Sequence, residues 1–477
     1  MTDQLSDAKR SLLGKYCAGN AALPRAGTIL RRREGVLSPL SLSQEELWRR
    51  EQQVPSIPPL YNECVTVRMN GDLEIQALER ALTKIIQRHE IWRTTFETRA
   101  GAPVQVVHPV SPVRLPVVDM RSIPAAERND EAIRLMNAET RRPFQLDREP
   151  PVRPMLVRMA NSEHWLFLIA HLVVLDGRSA YQIFPLELAE FYKALMTGRA
   201  PTLPELPIQC ADFACWQRES LTAGMQKQLA YWQGQLGAEN SSAQWPNDKP
   251  RSSSRAYRGV IRPFALLQET SQRLKRFSQR ENTTVFSTLL AACAALLHSY
   301  SRQQNIFLGT LSPSGRKRSE VLNLLGYFLN PVTLKFDFAI DPTFAELLIQ
   351  ARKVMAEAIG SDDVPIEHIA RHLKAGDSSP SPFFRAAISL QPSTPSLDLE
   401  WSVTSMDVDS GGSPWELYLA FIDRPQGMIG RAQFDPDVFD EPSIGQIVKD
   451  LDRLLAELTA TPQCRVSDNF LRALGTA

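Results

Sequence analysis

The chain has 477 residues, 43% of them hydrophobic and 22% charged, with a formal net charge of +1. That length holds two or more domain-sized cores of ordinary globular composition, and the charge offers no field to draw in nucleic acid or an anionic membrane. No apolar run is long enough to span a bilayer and the N-terminus lacks the pattern of a secretory leader. The six cysteines are scattered with no Cys-x-x-Cys pair, so a cytoplasmic protein with no metal and no cofactor of its own is expected.

Residues 1–36 hold a short helical pattern from Ala8 to Tyr16, then a Gly/Ala/Pro-rich stretch and Arg31-Arg32-Arg33. They read as a flexible arm with a solvated basic run; the other reading is a docking handle. The folded body begins with a short helix over Ser43–Arg49 and a strand over Tyr61–Met69. An amphipathic helix over Leu73–His89 follows, with Leu78, Leu82 and Ile85 on one face. Trp92–Glu97 and Val104–His108 form a hairpin, a polar helix covers about 124–140, and Arg153–Ala160 with His164–Val174 make a second hairpin. A helix from Gly177 to Thr197 closes this half. A Pro-rich connector, Pro201 to Pro207, is a stiff loop.

The second half reads as helices over Leu221–Leu236, Leu267–Arg280, Val285–Tyr300, Pro342–Ser361 and Ser443–Thr459. Strands are expected at Val260–Phe264, Asn305–Thr310, Phe328–Phe338, Phe384–Leu390 and Leu417–Asp423. Each half is then a sheet carrying helices, an α+β layered plan used twice.

The stretch from His164 to Ser179 carries the chemistry. A buried apolar strand ends at His171-Leu172, and Asp176-Gly177 sits where the next helix starts. An imidazole at a strand end can take a proton near neutral pH. The same residues also fit a core histidine followed by an ordinary N-cap and a turn glycine. No phosphate-binding Gly-rich loop and no Gly-x-Ser-x-Gly element is present, so ATP use or serine hydrolysis has no support.

From about Ser38 to Asp468 the chain resembles the condensation domains of nonribosomal peptide synthetases, in the chloramphenicol-acetyltransferase-like superfamily. The motifs occur in order: Pro39 to Trp48, Arg88-His89-Glu90-Ile91-Trp92-Arg93, Ala211-Asp212-Phe213 with Trp216, Tyr231-Trp232, Gly315-Arg316, Gly326 to Asn330, Val364-Pro365-Ile366-Glu367, and Ser381-Pro382-Phe383-Phe384. The resemblance implies two acetyltransferase-like lobes, residues 37–220 and 221–470, set in a V around a central tunnel. It also implies acyl or peptidyl carrier proteins as partners, bringing substrates on phosphopantetheine arms.

The family's third motif is His-His-x-x-x-Asp-Gly, and this chain departs from it. Aligned without a gap, His171 takes the first histidine's place and Leu172 the place of the second, which the family uses in catalysis. A gapped alternative puts His171 at the second place, with one extra residue held in a bulge. The resemblance makes His171, Asp176 and Gly177 the candidate catalytic residues and Leu172 a residue of the substrate channel. Asp176 is implied to be structural, paired to Arg316. The chain ends about where a condensation domain stops, which implies a free-standing protein acting on carriers in trans. The first functional reading is an acyltransferase that forms an amide or ester from a carrier-bound acyl thioester and an amine or alcohol, transferring groups other than amino-acyl. The second is a catalytically impaired relative that binds carriers and recruits or gates a partner enzyme; the third is an altered reaction in the same tunnel, such as dehydration or cyclisation.

Overall fold

Fourteen strands are described. Those of the first half are β1 (Ser38–Pro39), β2 (Asn62–Asn70), β3 (Thr94–Arg99), β4 (Ala102–Val107), β5 (Val117–Asp119), β6 (Val152–Ala160) and β7 (Glu163–His171). Those of the second are β8 (Val260–Ala265), β9 (Asn305–Ser312), β10 (Asn330–Asp337), β11 (Ala386–Gln391), β12 (Trp401–Thr404), β13 (Leu417–Arg424) and β14 (Gly427–Phe434). The computed structural model describes residues 28–33, 35–53, 58–237, 247–252, 255–373, 382–391, 394–397, 399–404, 408–424 and 426–474. The helical pattern at Ala8–Tyr16, Cys17 and Ser381 lie outside them.

The strands form a small sheet β1-β4-β3, a five-stranded sheet β12-β2-β7-β6-β5 and a six-stranded sheet β10-β9-β11-β13-β14-β8. Long β2 and β7 pair antiparallel without a break from Asn62↔His171 to Asn70↔Glu163. Their apolar, β-branched residues suit a pleated surface buried on both faces, and Val65, Val67, Leu166, Phe167 and Leu168 are fully inaccessible. The α+β plan expected for each half is present.

The helix Val285–Ser301 explains how the second core closes. Its small residues, Ala291, Ala292, Ala294 and Ala295, let it lie against the six-stranded sheet while Leu289, Leu290, Leu296 and Leu297 fill the gaps. Thr284 caps it by accepting from the Ser287 N–H at 3.0 Å, a contact of the kind worth about 1 kcal/mol. Gly309 on β9 is required by packing, because a Cβ there would sit 2.0 Å from the Phe384 ring.

Several expectations are corrected. The helix expected from Leu221 begins at Cys210 and runs to Leu236, so the 220/221 lobe boundary falls inside one helix. Gln209 and Asp212 form a capping box that starts it early. The two cores also trade segments: the first contains Val321, Leu324, Leu325 and Phe328 from the second half, and β12 hydrogen-bonds to β2. The single helix expected over Gly177–Thr197 opens with a π turn at Ser179–Ile183 before regular helix from Phe184. Trp92 lies in a 3-10 turn, Glu90–Arg93, rather than in the hairpin. Strands β12 and β14 and the helices Ile366–His372 and Val466–Leu474 add to the expected elements. Arg32 is not part of a solvated basic run: it pairs with Glu90 and, at 3.0 Å, with the fully buried carboxylate of Asp212.

Among the described residues no single helix is long and apolar enough to cross a membrane. No group of three or more metal-ligating side chains is found among them.

Candidate functional site

The two large sheets face one cleft of about 1750 Å³, lined from the first half by Tyr61, Glu63, Leu172 and Gly177 and from the second by residues such as Arg431 and Tyr418. That exceeds the roughly 300–1,000 Å³ of a site for a drug-sized molecule and suits a long flexible chain.

The degenerate motif straddles the end of β7 and the turn that follows it. Successive side chains on β7 point to opposite faces, and the β2–β7 pairing carries no register shift. The irregularity in this sheet lies on the β6 side, between Arg158 and Ala160. The ladder ends at the pair Asn62↔His171, and Leu172 opens the 3-10 turn Leu172–Val174, so the direction of residue 172 is set by that turn. Leu172 lines the cleft, and its N–H donates to the Tyr61 carbonyl at 2.7 Å.

His171 is not among the lining residues. Its ring is buried, edge-on to Tyr61 and Phe144 at centroid distances of 5.9 and 6.5 Å. Nδ1 accepts from the Val173 N–H at 3.0 Å, and Nε2 lies 3.2 Å from a Glu51 carboxylate oxygen. An Nδ1 that accepts leaves the proton of a neutral imidazole on Nε2, donated to Glu51. Both nitrogens are thus engaged away from the cleft. The short turn Leu172–Val174 that follows is braced by two other motif residues: Gln44 donates to the Val173 carbonyl at 2.9 Å and Trp92 to that of Val174 at 3.3 Å.

Asp176 and Arg316 form a two-point ion pair, Nε to Oδ2 and Nη2 to Oδ1, both at 2.8 Å and both groups buried. The carboxylate has two further donors, the Ser179 N–H at 2.8 Å and the Phe328 N–H at 3.3 Å. The guanidinium also donates to Ser179 Oγ and to the Val321 and Leu324 carbonyls. Every strong donor and acceptor of the pair is used, which is the condition under which a buried pair offsets its desolvation. Its geometry ties the Asp-Gly step to the second half's Ser314–Lys317 turn. Gly177 follows at the cleft wall, beside the π turn, a distortion that recurs at functional sites.

Of the other motif residues, Arg88 and His89 both bond Glu187, at 2.9 and 2.8 Å, and His89 Nδ1 accepts from the Leu325 N–H. These buried contacts hold the fold. His368 borders Arg371, and burial and that neighbour lower its proton affinity; His298 stacks on Phe338.

Sequence reasoning missed the polar groups on the far wall: Arg431 and Gln433 on β14, Tyr418 on β13, and Ser389 on β11. The signal was present in Gly427 to Phe434, where Met428, Ala432 and Phe434 alternate with Ile429, Arg431 and Gln433. Arg431 donates to both Glu63 oxygens, at 3.1 and 3.4 Å, across the cleft. Burial works against its charge, but the Glu63 carboxylate raises its proton affinity overall.

Below the cleft, buried Asp362 takes bonds from Ser312 and from Lys317, a cleft-lining residue. Burial pushes its carboxyl up to about 6, with Lys317 opposing. An acid that binds its proton more tightly when folded stabilises the fold fully below its unfolded value of 3.8 and loses that contribution as pH rises through about 6. Denaturant midpoints measured from pH 4 to 7 should therefore fall for the parent relative to Asp362→Asn; parallel curves would remove Asp362 as the cause.

Two helix-covered mixed sheets meeting at one cleft, with an Asp-Gly step in its wall, define the chloramphenicol-acetyltransferase-like class. Within that class, the condensation-domain family model matches residues 36–473. A linear gramicidin synthase polypeptide of Brevibacillus parabrevis is 35% identical over 435 residues, which is 89% of this chain and 6% of that polypeptide. Phosphinothricin tripeptide synthetase PhsC of Streptomyces viridochromogenes is 29% identical over 89% of this chain and 39% of its own length. Among solved structures, the X-domain from teicoplanin biosynthesis superposes with a TM-score of 0.79 at 24% identity, covering 93% of this chain and 99% of that one. The same X-domain in complex with OxyB gives 0.78 at 25% identity, covering 94% and 98%. The first condensation domain of the calcium-dependent antibiotic synthetase gives 0.79 at 22%, covering 91% and 99%. The chain belongs to the condensation-domain family of nonribosomal peptide synthesis, and it spans well under half the length of these two synthetases.

Proposed function

We propose that the protein is a condensation-fold module whose cleft receives carrier-borne acyl or peptidyl groups on phosphopantetheine arms but whose own base-assisted condensation is disabled. Its task is to hold a carrier-bound intermediate while a partner enzyme acts. One observation carries this reading: the side chain at the cleft wall is Leu172, while His171 is locked between Glu51 and the Val173 N–H. An amine that attacks a thioester must shed a proton, and a placed base contributes roughly 10²–10⁴ to such a step. Leucine accepts neither proton nor hydrogen bond.

What survives fits binding. The cleft is wide, its lining is largely apolar, and the Asp176–Arg316 pair keeps the wall in shape. The complex of the teicoplanin X-domain with OxyB supports a partner-recruiting role for this fold. The reading displaces the amide- or ester-forming acyltransferase, because holding two arms close does not by itself move the proton.

The test loads carrier proteins with acyl and peptidyl groups, as thioesters for turnover and as non-hydrolysable amide analogues for binding. Saturable binding with product at the protein-free rate is the expected result. Product well above that rate, with amines or alcohols as acceptors, would return the acyltransferase reading. No binding of any loaded carrier would end both.

A further inference from the structure

Most charges at the cleft are matched. Glu63 is held by Arg431, Asp176 by Arg316 and Glu320 by Arg318, and Lys317 bonds the buried Asp362. Among the described residues, the charged lining side chains in no ion pair are Arg178, Arg352 and Lys353, and all of them are cations. Arg178 donates to the Leu322 carbonyl at 3.0 Å. Burial and the nearby Arg316 charge lower its proton affinity, so this corner of the cleft is already short of negative charge.

Helical spacing puts the other two cations on one surface. In the helix Phe344–Gly360, Phe344, Leu347, Leu348, Ala351 and Met355 pack into the core. Ile349, Arg352, Lys353 and Ala356 recur at i, i+3, i+4 and i+7 and share another face. All four line the cleft and all four are exposed, Ile349 by 65%. A surface that is open to solvent and still lines the cleft is its edge. Lys317 donates to the Ile359 carbonyl, which fixes this edge to the Ser314–Lys317 turn and, through the Asp176–Arg316 pair, to the Asp-Gly step.

A second stretch of the edge is built differently. Where the helix Leu42–Gln53 meets the helix Ile366–His372, the lining acids Glu46 and Glu367 are both engaged. Arg371 donates to Glu46 and Arg50 to Glu367, each at 3.1 Å, and Arg49 adds a bond to Glu46 at 3.2 Å. An anion arriving there meets guanidinium groups already in use, and the carboxylates beside them repel it. The 349–356 face instead offers an uncompensated arginine and lysine, the planar fork and the mobile point charge that suit phosphate.

We propose that the 349–356 face is the one edge at which a carrier docks, with Arg352 and Lys353 receiving the phosphodiester that joins the phosphopantetheine arm to its carrier, so that the cleft is loaded by a single carrier at a time. This deepens the proposed function and rests on the cleft receiving carrier-borne groups. The phosphodiester is an anion fixed at the carrier surface, so a carrier whose arm lies in the cleft brings that charge to the cleft edge. Ile349 adds an apolar contact beside it. Joining two loaded arms requires two carriers at once, whereas holding one intermediate for a partner enzyme requires one.

The experiment titrates the full chain calorimetrically with a carrier bearing a non-hydrolysable acyl-pantetheine amide, and with the same acyl group on free phosphopantetheine and on free pantetheine. One carrier should bind per chain. Arg352→Glu with Lys353→Glu should weaken carrier binding at least about tenfold and flatten its dependence on salt. Arg80→Glu with Arg276→Glu makes the same charge change at exposed residues outside the cleft and should shift affinity by less than about twofold. The phosphopantetheine compound should bind the parent more tightly than the pantetheine compound, and the two should bind the Arg352→Glu, Lys353→Glu variant alike. Equal carrier affinity for the parent and that variant would overturn this edge but leave the proposed function standing. Two carriers per chain would overturn single loading. Failure of the parent to bind any loaded carrier would overturn the proposed function itself. Thermal melting reports whether each variant folds, and the parent's own salt dependence and preference for the phosphate-bearing compound keep the test decisive if one does not.

Discussion

Leu172→His is expected to raise condensation from loaded carriers by roughly 10²-fold or more over the parent. The argument is geometric. Residue 172 follows β7 directly, its N–H still bonded to Tyr61, and its side chain already lines the cleft. Histidine is close to leucine in size, so the wall accepts it without repacking the buried side beneath, where Val173 and Val174 are inaccessible. The restored imidazole would be neutral above an ordinary value near 6.5, so the gain should grow as pH rises through that range. Leu172→Asn is the control: it can hydrogen-bond but cannot take a proton at neutral pH, and it should gain nothing. Rates of product formation by mass spectrometry, with carrier affinity measured in parallel, decide the matter. A folded histidine variant no faster than the parent would show that the cleft no longer aligns its substrates and that position 172 is not what limits it.

The second large effect is on stability. Arg316→Met should cost about 3–5 kcal/mol, because it strands the Asp176 carboxylate in a fully buried place with its two-point partner gone. Asp176→Asn should cost less. Its amide oxygen still accepts from Ser179, and Arg316 keeps the Val321 and Leu324 carbonyls and Ser179 Oγ. The double variant removes both charges together and should recover much of the loss, giving a coupling energy well beyond the roughly 0.3–0.5 kcal/mol seen for independent sites. Urea unfolding of the four proteins measures it. Additive losses would mean that the pair contributes only packing, and the link it makes between the Asp-Gly step and the Ser314–Lys317 turn would then carry no electrostatic strength.

Much of the second effect is legible without coordinates. Asp176 and Arg316 are implied by ordered motifs 140 residues apart, and the structure places them in contact. Long elements with strong periodicity are equally legible: the Val285–Ser301 helix and the β2 and β7 strands sit within a few residues of where the pattern puts them. The failures have local causes. The start of the Cys210–Leu236 helix is hard to see because one half of its capping box, Asp212, lies inside a motif whose family likeness hides its role as a cap. Strand β14 is hard to see because its glycines at 427 and 430 look like breakers, although Gly430 is required where a Cβ would sit 2.4 Å from Phe264. Arg32 looks solvated because it sits in a run of three arginines; its partner Asp212 is 180 residues away.

The long helices and strands, the doubled α+β plan and the loss of one histidine from the motif follow from the residues alone, because they depend on side-chain period and on which groups can carry a proton. Which way His171 turns does not follow. Its place is set by Glu51, Tyr61 and Phe144, which enclose the ring from other parts of the chain. The Arg431–Glu63 pair is of the same kind, since it joins opposite walls of the cleft across 368 positions. Contacts of that range depend on how two sheets are set against each other, and no local pattern encodes that.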